Sequence, residues 1–341
     1  MPLGSHVPAV SVVLPFRNPG ATLVRAIESI RVQDFVDWEL ILVDNASTDR
    51  SLERSAAAAA DDRIRVVTEP RAGIVPALKT GLAAARAPLI ARMDADDVAA
   101  PERLGEQTRF LRSHPEVGLC ATRVRFAGDR AVARGYALYV DWTNDLLTHS
   151  DIALNRFVES PIAHPSVCFR TACVERFGGY RDGPFPEDYE LWLRWLEAGV
   201  RMEKLPDFLL EWHDPPSRIS RSDPRYASEA FFAVKSPYLA RFVVARQGSR
   251  PLWQWGAGRE TRRRTRCFVE AGMTVAAYVD VDPKRIGQSI AGIPVYAPEA
   301  IPTAGEVYVI ACVAVRGARE RIRRLLAGRG YEEGTDFVCA G

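Results

Sequence analysis

The feature that most constrains the fold is a regular alternation of apolar strands and amphipathic helices over residues 9–97. The strand segments are dense in apolar and β-branched residues, which is typical of strands buried on both faces of a parallel sheet. This β-α-β-α-β-α-β order predicts a right-handed, doubly wound, mostly parallel α/β sheet. The predicted strands cover residues 9–15, 38–43, 64–68 and 88–91, and the predicted helices cover 21–33, a segment around the alanine run 56–60, and 75–85.

Polar side chains follow each of these strands. In an open α/β sheet the carboxyl ends of parallel strands meet at one rim, where ligands bind. Asp44 at such a rim can accept a hydrogen bond from a base N–H or a ribose hydroxyl, and a role in a helix-capping turn, with Ser47 or Thr48 as the cap, is compatible with that. The polar residues expected at this rim, where a nucleotide could lie, are Asn18, Asp44, Arg71, Lys79, Asp94 and Asp96.

Three carboxylates, Asp94, Asp96 and Asp97, directly follow the fourth strand. Three acids so close together repel one another unless a cation neutralises them. Hard oxygen ligands suit Mg²⁺ or Mn²⁺, which also take oxygens from a bound phosphate. The alternative is a solvated acidic turn that caps the helix predicted near Pro101.

Composition excludes several classes of protein. A formal net charge of +2 gives no case for binding nucleic acid. Six scattered cysteines without a CxxC pair indicate buried thiols in a reducing compartment. No apolar run approaches the ~20 residues that span a bilayer, and residues 1–8 do not resemble a signal peptide. We therefore expect a cytoplasmic protein, at most peripherally associated with the inner face of the membrane.

A set of short motifs, in order, resembles the family 2 glycosyltransferases of the GT-A fold over roughly residues 9–225. One departure is Asn45, where that family often has a second aspartate. The matching motifs are VVLPFRN at 12–18, VDNASTD at 43–49, MDADD at 93–97, PERL at 101–104 with Gln107, IAHPS at 162–166, GGY at 178–180 and EDYELW at 187–192.

The resemblance implies roles for individual residues. Asp44 would contact the nucleoside, Asp94 would lie beside the sugar diphosphate, and Asp96 would coordinate the divalent metal. His213 would be a further metal ligand, and Arg218 a phosphate clamp. The other donor-side positions are Pro15, Phe16, Asn18, Arg71 and Lys79. His164 is the candidate acceptor-side residue, and a role in structural packing is the open alternative for it.

Glu187 and Asp188 form a second pair of acids, directly after Pro186 and before an apolar helix predicted over residues 189–196. Acids in a first turn favour the helix dipole, which is a sufficient structural reason for them. Inverting sugar transfer needs a carboxylate that takes the proton of the acceptor hydroxyl. The resemblance favours Asp188 as this general base, with Glu187 beside it.

The C-terminal part has a β-α-β rhythm of its own, which predicts a smaller Rossmann-like domain over 251–341. The GT-A domain would then cover 1–246, with a helical bridge over 224–246 and a linker over 247–250. Gly256 and Gly258 are present, but Thr261 replaces the third glycine of the dinucleotide fingerprint. Asp280 ends the second predicted strand, and arginines crowd the helix after Gly258. A scaffold or regulatory module is therefore favoured over a working cofactor site.

The function expected from these features is inverting, metal-dependent transfer of a sugar from a nucleotide-sugar, with UDP as the expected nucleotide. The acceptor would be a hydroxyl of a glycan or lipid-linked molecule in cell-surface polysaccharide or glycoconjugate synthesis, with Mn²⁺ or Mg²⁺ as cofactor. The alternative is an NAD(P)-dependent oxidoreductase or a nucleotide-sugar-binding regulatory protein that uses the C-terminal domain. A homo-oligomer formed through that domain is a further option.

Overall fold

The computed structural model describes residues 6–215, 218, 221–315 and 317–341. It divides into two compact units, each assembled from several stretches of chain. The first unit comprises residues 1–152, 161–183 and 194–222, and the second comprises 153–160, 184–193 and 223–341. Residues 224–246 thus belong to the same unit as the C-terminal stretch. The division into domains at 1–246 and 251–341 stays a prediction.

The described residues form fourteen strands and twelve α-helices. The strands are β1 Val10–Phe16, β2 Trp38–Asp44, β3 Ile64–Thr68, β4 Leu89–Arg92, β5 Val98–Ala99, β6 Val117–Phe126, β7 Cys168–Arg170, β8 Arg201–Trp212, β9 Leu252–Trp255, β10 Val275–Val279, β11 Ser289–Ile290, β12 Ile293–Tyr296, β13 Tyr308–Ala311 and β14 Phe337–Cys339. The helices are α1 Thr22–Arg31, α2 Ser51–Ala58, α3 Ile74–Ala84, α4 Arg103–Ser113, α5 Arg134–Asp145, α6 His149–Asn155, α7 Thr171–Phe177, α8 Glu187–Glu197, α9 Ser228–Gln247, α10 Arg259–Arg264, α11 Arg266–Glu270 and α12 Ala318–Ala327.

The first unit is organised around an eight-stranded sheet in the order β3-β2-β1-β4-β7-β6-β8-β5. The first four strands of this order are parallel, as the sequence predicts. β7 runs antiparallel to both of its neighbours, and β8 is parallel to β6. The sequence pattern over 200–203 and 208–212 predicts two separate edge strands, and this prediction is wrong. They are parts of the single strand β8, which lies between β6 and the two-residue edge strand β5.

Burial explains the parallel core. Every residue of β1 and β2 is buried, in keeping with strands that are covered by helices on both faces. Helix α3 packs against β1 at Gly81, where an added Cβ would meet Val13 Cγ1 at 2.3 Å. The glycine is therefore needed for the close approach of this helix to the strands whose ends form the rim.

The second unit contains a six-stranded sheet in the order β11-β12-β10-β9-β13-β14. All its pairings are parallel except the β11–β12 hairpin. If β9, β10, β12, β13 and β14 are counted as strands 1 to 5, the order is 3-2-1-4-5, that of the dinucleotide-binding fold.

The predicted linker at 247–250 is an ordered part of the second unit. Arg250 donates to Asp336 Oδ1 at 2.6 Å and to the carbonyl oxygen of Thr335 at 3.0 Å. The linker prediction is therefore wrong, because these contacts fix the segment next to the start of β14.

A buried lysine ties together distant stretches of the second unit. Lys235 Nζ donates to the carbonyl oxygens of Phe157 and Ala340, at 2.7 and 2.8 Å. The hydroxyl of Tyr189 donates to the carbonyl oxygen of Arg156 at 2.6 Å. Residues 153–160 and 184–193 are therefore integral to the core of this unit.

Among the described residues, no helix combines the length and the apolar character that crossing a bilayer requires.

Candidate active site

Asn18 joins the loops that follow β1 and β2. Its side-chain Oδ1 accepts from the backbone N–H groups of Thr48 and Asp49, at 2.7 and 3.2 Å, and its own N–H donates to Ser47 Oγ at 3.1 Å. The prediction that Ser47 or Thr48 caps helix α2 is wrong, since α2 begins later, at Ser51, and the two hydroxyls face Asn18. Asn18 thus fixes the geometry of the two loops at this rim.

Asn45, in the loop after β2, is hydrogen-bonded in a similar way to the loop after β3. Its Nδ2 donates to the carbonyl oxygens of Glu69 and Arg71, at 3.1 and 2.8 Å, and its Oδ1 accepts from the N–H of Gly73 at 2.7 Å. An aspartate could not donate these two hydrogen bonds, because an ionised carboxylate only accepts. The departure from the family pattern at this position is therefore explained by the structure.

The predicted nucleoside residue, Asp44, lies between these two links at the end of β2. Its side chain is buried, and Oδ1 accepts from the N–H of Ser47 at 3.3 Å. Arg71 is exposed and forms two hydrogen bonds to the Glu69 carboxylate, each of 2.9 Å. Lys79 is exposed on α3. The structure thus gathers Asn18, Asp44 and the Arg71 loop into one connected rim.

Pro15 and Phe16, two other predicted donor-side positions, are buried in β1. The Phe16 ring is part of the hydrophobic core. The Phe16 carbonyl oxygen accepts from the N–H of Asn45 at 2.9 Å. These residues therefore support the rim from below, and their side chains do not face solvent.

The three carboxylates after β4 form one cluster. One oxygen of each of Asp94, Asp96 and Asp97 lies within 4.8 Å of the others. Burial, followed by the charge of Asp94, raises the pKa of Asp96 to about 6. The same two causes, and then the charge of Asp96, raise the pKa of Asp97 well above its usual value. The cluster carries more negative charge than its surroundings compensate.

Several polar atoms of this site are buried and lack a hydrogen-bond partner among the described residues. They include Asp97 Oδ2, His213 Nδ1 and Arg92 Nε. Asp97 is fully buried, and its other oxygen accepts from the backbone N–H of His213 at 2.9 Å. Asp97 therefore holds the segment that carries the predicted metal ligand His213 beside the carboxylate cluster, a role that the sequence did not indicate.

Arg218 lies on the other side of this segment. Its guanidinium carbon is 4.1 Å from the ring centroid of Trp212, which orients the side chain by a cation–π contact. The positive charge of Arg218 lowers the pKa of both Asp96 and Asp97 and so partly offsets the effects that raise it. Arg218 is therefore placed near the carboxylates, as a phosphate-binding residue would be. Pro216, Ser217, Ile219 and Ser220 of the same predicted loop lie outside the described residues.

Arg92 is a site residue that sequence reasoning missed. It is 4% exposed and forms an ion pair with Asp94. The signal was present, because an arginine stands within an apolar strand directly before the acids. Arg103 in turn donates to the carbonyl oxygen of Arg92 at 2.7 Å. The PERL motif therefore supports the strand end from which the cluster projects.

His164, the predicted acceptor residue, is buried, and its Nε2 lies 2.7 Å from the hydroxyl oxygen of Tyr180. Burial, and then the charge of Arg92, lowers the pKa of His164 well below its usual value. The imidazole is therefore neutral and pairs with a tyrosine of the GGY motif.

Glu187 and Asp188 lie in the first turn of α8, as predicted. Glu187 is buried and accepts a 2.7 Å hydrogen bond from the hydroxyl of Tyr226. Burial, and then the charge of Glu187, raises the pKa of Tyr226, so the tyrosine remains a donor. Asp188 is half-buried, and its Oδ1 accepts from the N–H of Tyr189 at 2.7 Å. One acid of the pair is thus fixed by a tyrosine, while the other contacts the adjacent backbone.

Comparison with known proteins relates this chain to a family whose sequence model includes the rim residues. The sequence model described as "Glycosyl transferase family 2" matches residues 11–174. Glycosyltransferase EpsE of Bacillus subtilis strain 168 is 30% identical over 226 residues, which cover 64% of this chain and 78% of that protein. Amylovoran biosynthesis glycosyltransferase AmsE of Erwinia amylovora is 31% identical over 191 residues, covering 55% and 69%.

The chain belongs to glycosyl transferase family 2. Protein y4gI of Sinorhizobium fredii strain NGR234 is 32% identical over 246 residues, which are 69% of this chain but only 26% of that protein. The predicted enzyme class, a glycosyltransferase, is confirmed by this membership.

Two solved structures of glycosyltransferases share the fold. S. aureus TarS 1-349 in complex with UDP-GlcNAc has a TM-score of 0.56 and 17% identity, covering 77% of this chain and 71% of that one. Mannosyltransferase PcManGT from Pyrobaculum calidifontis, in complex with GDP-Man and Mn²⁺, has a TM-score of 0.50 and 20% identity, covering 79% and 70%. The predicted fold class, a GT-A type α/β sheet, is confirmed.

Proposed function

We propose that this family 2 glycosyltransferase is an inverting, metal-dependent enzyme. It moves a sugar from a UDP-sugar to a hydroxyl group of a glycan or lipid-linked acceptor. The observation that carries the proposal is the carboxylate cluster after β4, with Asp97 Oδ2 and His213 Nδ1 buried and unpartnered among the described residues. Buried polar atoms without partners are rare in folded proteins and point to a ligand that satisfies them.

The donor set of the cluster fits a divalent cation. Carboxylate oxygens with one imidazole nitrogen suit Mn²⁺ or Mg²⁺, and mutual repulsion of the acids favours a cation among them. We assign Asp96 and His213 as ligands and place Asp94 beside the sugar diphosphate. When bound, such a cation supplies Lewis-acid stabilisation of the leaving diphosphate. Mn²⁺ in the PcManGT complex supports this assignment.

The rim residues of the chain bind and orient the donor. Asp44, held by Ser47, accepts from the nucleoside, and Arg218, held over Trp212, donates to the diphosphate. Arg71 and Lys79 supply further positive charge on the donor side, and Asn18 sets the loop geometry. The UDP-GlcNAc complex of TarS supports a UDP-sugar, and the GDP-Man complex of PcManGT makes GDP-sugars the competitor to be tested.

Asp188 is the proposed general base. The nucleophilic hydroxyl loses its proton to the Asp188 carboxylate as the anomeric carbon is attacked, and a single displacement inverts its configuration. Glu187 is less suited to accept this proton, because Tyr226 already donates to its carboxylate. Glu187 therefore orients the first turn of α8.

His164 is proposed to act on the acceptor side through Tyr180. Its side chain is 8% exposed and bonded to that hydroxyl, so it can orient the tyrosine toward the acceptor. The name of AmsE, amylovoran biosynthesis, supports a place in polysaccharide or glycoconjugate synthesis. A lipid-linked acceptor would bring the enzyme to the inner face of the membrane.

For the second unit we propose a Rossmann-like scaffold or regulatory module. Its strand order supports this fold. The oxidoreductase alternative is not favoured, since the acid that would meet a ribose, Asp280, already accepts from the backbone N–H groups of Ala257, in the loop after β9, and of Asp282. Contact between copies of the chain through this unit is testable by light scattering.

The proposed activity is tested with a panel of UDP- and GDP-sugars and oligosaccharide acceptors. Nucleoside diphosphate release should require Mn²⁺ or Mg²⁺ and should cease with EDTA. Proton NMR of the first product should show the anomeric configuration opposite to that of the donor. Release that persists in EDTA would refute metal dependence, and retained configuration would refute the role given to Asp188.

A further inference from the structure

A groove of about 520 Å³ lies in the first unit beside α5 and the second half of β6. Its wall on the β6 side is formed by residues 123–126, its wall on the α5 side includes Asp141 and Asn144, and Phe208 of β8 also lines it. Neither the donor-binding residues nor the carboxylate cluster contribute to it.

The groove contains an aromatic ring that two arginines share. Phe208 is 39% exposed, a large fraction for such a side chain. The guanidinium carbons of Arg125 and Arg123 lie 4.8 and 5.7 Å from its ring centroid. Both distances are within the range of cation–π attraction. The ring of Phe208 thus contacts both guanidinium groups.

The positive charge of the groove is only partly compensated. Arg130 forms an ion pair with Asp141, and Arg123 Nε donates to the carbonyl oxygen of Asn144 at 2.9 Å. Arg125 is exposed and takes part in no ion pair among the described residues. Asp145 also lines the groove, so three arginines, Arg123, Arg125 and Arg130, stand against two carboxylates. A net positive charge of one remains, and an anion beside Phe208 would meet the guanidinium of Arg125 and the remaining N–H groups of Arg123.

The position of the groove relates it to the active site. Phe208, Leu210 and Trp212 lie in the second half of β8, whose pairing with β6 shifts register between Phe208 and Leu210. Trp212 contacts Tyr136 and Tyr139 of α5, with ring centroids 6.2 and 6.0 Å apart, and Arg218 stacks on its ring. At strand rise, Phe208 lies about 16 Å from His213, the length of a short oligosaccharide. Aromatic and arginine side chains therefore continue from the carboxylate site to the groove.

We propose that this groove is an acceptor subsite for an acidic sugar, a hexuronate or similar carboxylate-bearing residue several units from the reacting hydroxyl. Arg125 and Arg123 bind its carboxylate, and Phe208 positions both guanidinium groups. The assignment of the bound sugar to an acceptor rests on the proposed function, whereas the binding of an acidic saccharide does not.

Binding to the full chain tests the subsite without turnover. Hexagalacturonate and neutral maltohexaose are titrated by calorimetry against the wild type, Arg125→Glu and Phe208→Leu. The matched control is Arg176→Glu, because Arg176 is also exposed and stacks on a phenylalanine, Phe177, at 5.1 Å, in helix α7. Circular dichroism and Tm establish that each variant is folded, and UDP affinity with Mn²⁺ is measured in the same samples.

The expected result is that the wild type and Arg176→Glu bind hexagalacturonate in preference to maltohexaose. Arg125→Glu should weaken this binding about tenfold or more, and Phe208→Leu less, since a charge-assisted contact to a carboxylate is lost outright only in the first. Equal binding of the two saccharides, equal loss in Arg176→Glu, or no hexagalacturonate binding would overturn the subsite. Failure of the proposed transfer would instead appear as absent UDP-sugar turnover with this binding pattern intact.

Discussion

Aspartates end strands in both sheets, but their surroundings differ. In the second unit, Asp280 follows β10 and is 7% exposed. Its carboxylate accepts from the N–H groups of Ala257 and Asp282, at 2.9 and 3.0 Å, and from Arg285 at 3.1 Å. In the first unit, Asp97 is fully buried, yet one of its oxygens has no hydrogen-bond partner among the described residues.

Both acids lie in a loop that follows a strand, and they differ in how far their acceptor atoms are satisfied by hydrogen bonds. A carboxylate whose acceptors are filled by its own loop stabilises that loop and offers little to a ligand. A crowded carboxylate with an unfilled acceptor is destabilising unless something else binds it. The position of an acid after a strand therefore does not by itself indicate a ligand site. The informative property is whether the oxygens of that acid have hydrogen-bond partners within the protein.

The largest expected effect contrasts Asp96 with Asp280. Asp96→Asn should reduce kcat by roughly 10⁴-fold, since stabilisation of the leaving diphosphate is worth several kcal/mol. Asp280→Asn should retain turnover but lose roughly 1–3 kcal/mol of unfolding free energy, because a buried acceptor of charge-assisted bonds is weakened. Initial rates and urea denaturation of both variants decide it. Comparable rate losses in the two would show that the comparison has no functional meaning.

The next effect concerns the acids of α8. Asp188→Asn should reduce kcat by roughly 10²–10⁴-fold with little change in donor Kd, because an amide cannot take the proton. Glu187→Gln should be milder. Stopped assays at saturating donor give kcat, and titration calorimetry gives Kd. If Glu187→Gln loses turnover and Asp188→Asn keeps it, the two roles are reversed. If neither loses turnover, the pair serves the helix dipole alone.

A smaller effect is the pH dependence of metal binding. Because the pKa of Asp96 is raised to about 6, its proton competes with the cation below that pH. Mn²⁺ affinity in the presence of UDP should therefore fall about tenfold between pH 7 and pH 5. Thermal shifts at matched Mn²⁺ concentrations report it. A shift independent of pH over this range, or one that persists in Asp96→Asn, would place the metal elsewhere.

The smallest expected effect is the pH dependence of stability that arises from two buried lysines, one in each unit. Burial lowers the pKa of Lys204, in the first unit, to about 7, and that of Lys235, in the second, to about 8. The unfolded chain then binds more protons than the folded one between those values and about 10.4, so stability should rise with pH by up to about 1.4 kcal/mol per unit for each lysine.

Substitution of Lys204 separates the two contributions. Lys204→Met should flatten this slope between pH 7 and 8, where only Lys204 loses its proton in the folded state. The pH dependence of chemical denaturation measures it. A slope in Lys204→Met equal to that of the wild type over this range would show that Lys204 keeps its proton in the folded chain, so that its pKa is not lowered.

Much of the fold was predictable because local patterns determined it. The bounds of β3 agree residue for residue with the strand predicted over 64–68. The antiparallel strand β7 was not predicted, since three residues carry too little periodicity and its partners lie far away in sequence. Helix α5, which forms one wall of the groove, was also not predicted.

The site was predictable where residue type alone indicates chemistry, as for Asp94 and Asp96. The bond between Asp97 and His213 was not, because 116 residues separate them. Asn45 could be noted only as a departure from a pattern, and its two donated hydrogen bonds supply the reason. Residue roles set by tertiary contacts therefore required the structure.

The way the second unit is assembled has a consequence for biosynthesis. Residues 153–160 emerge from the ribosome early, but Lys235 binds Phe157 together with Ala340, and Arg323 binds Asn155 at 3.0 Å across 168 positions. Chains usually complete their N-terminal parts first during synthesis. Here an early segment must wait, with apolar groups uncovered, until residue 340 has been translated. Folding of the second unit in the cell should therefore depend on chaperones more than folding of the first.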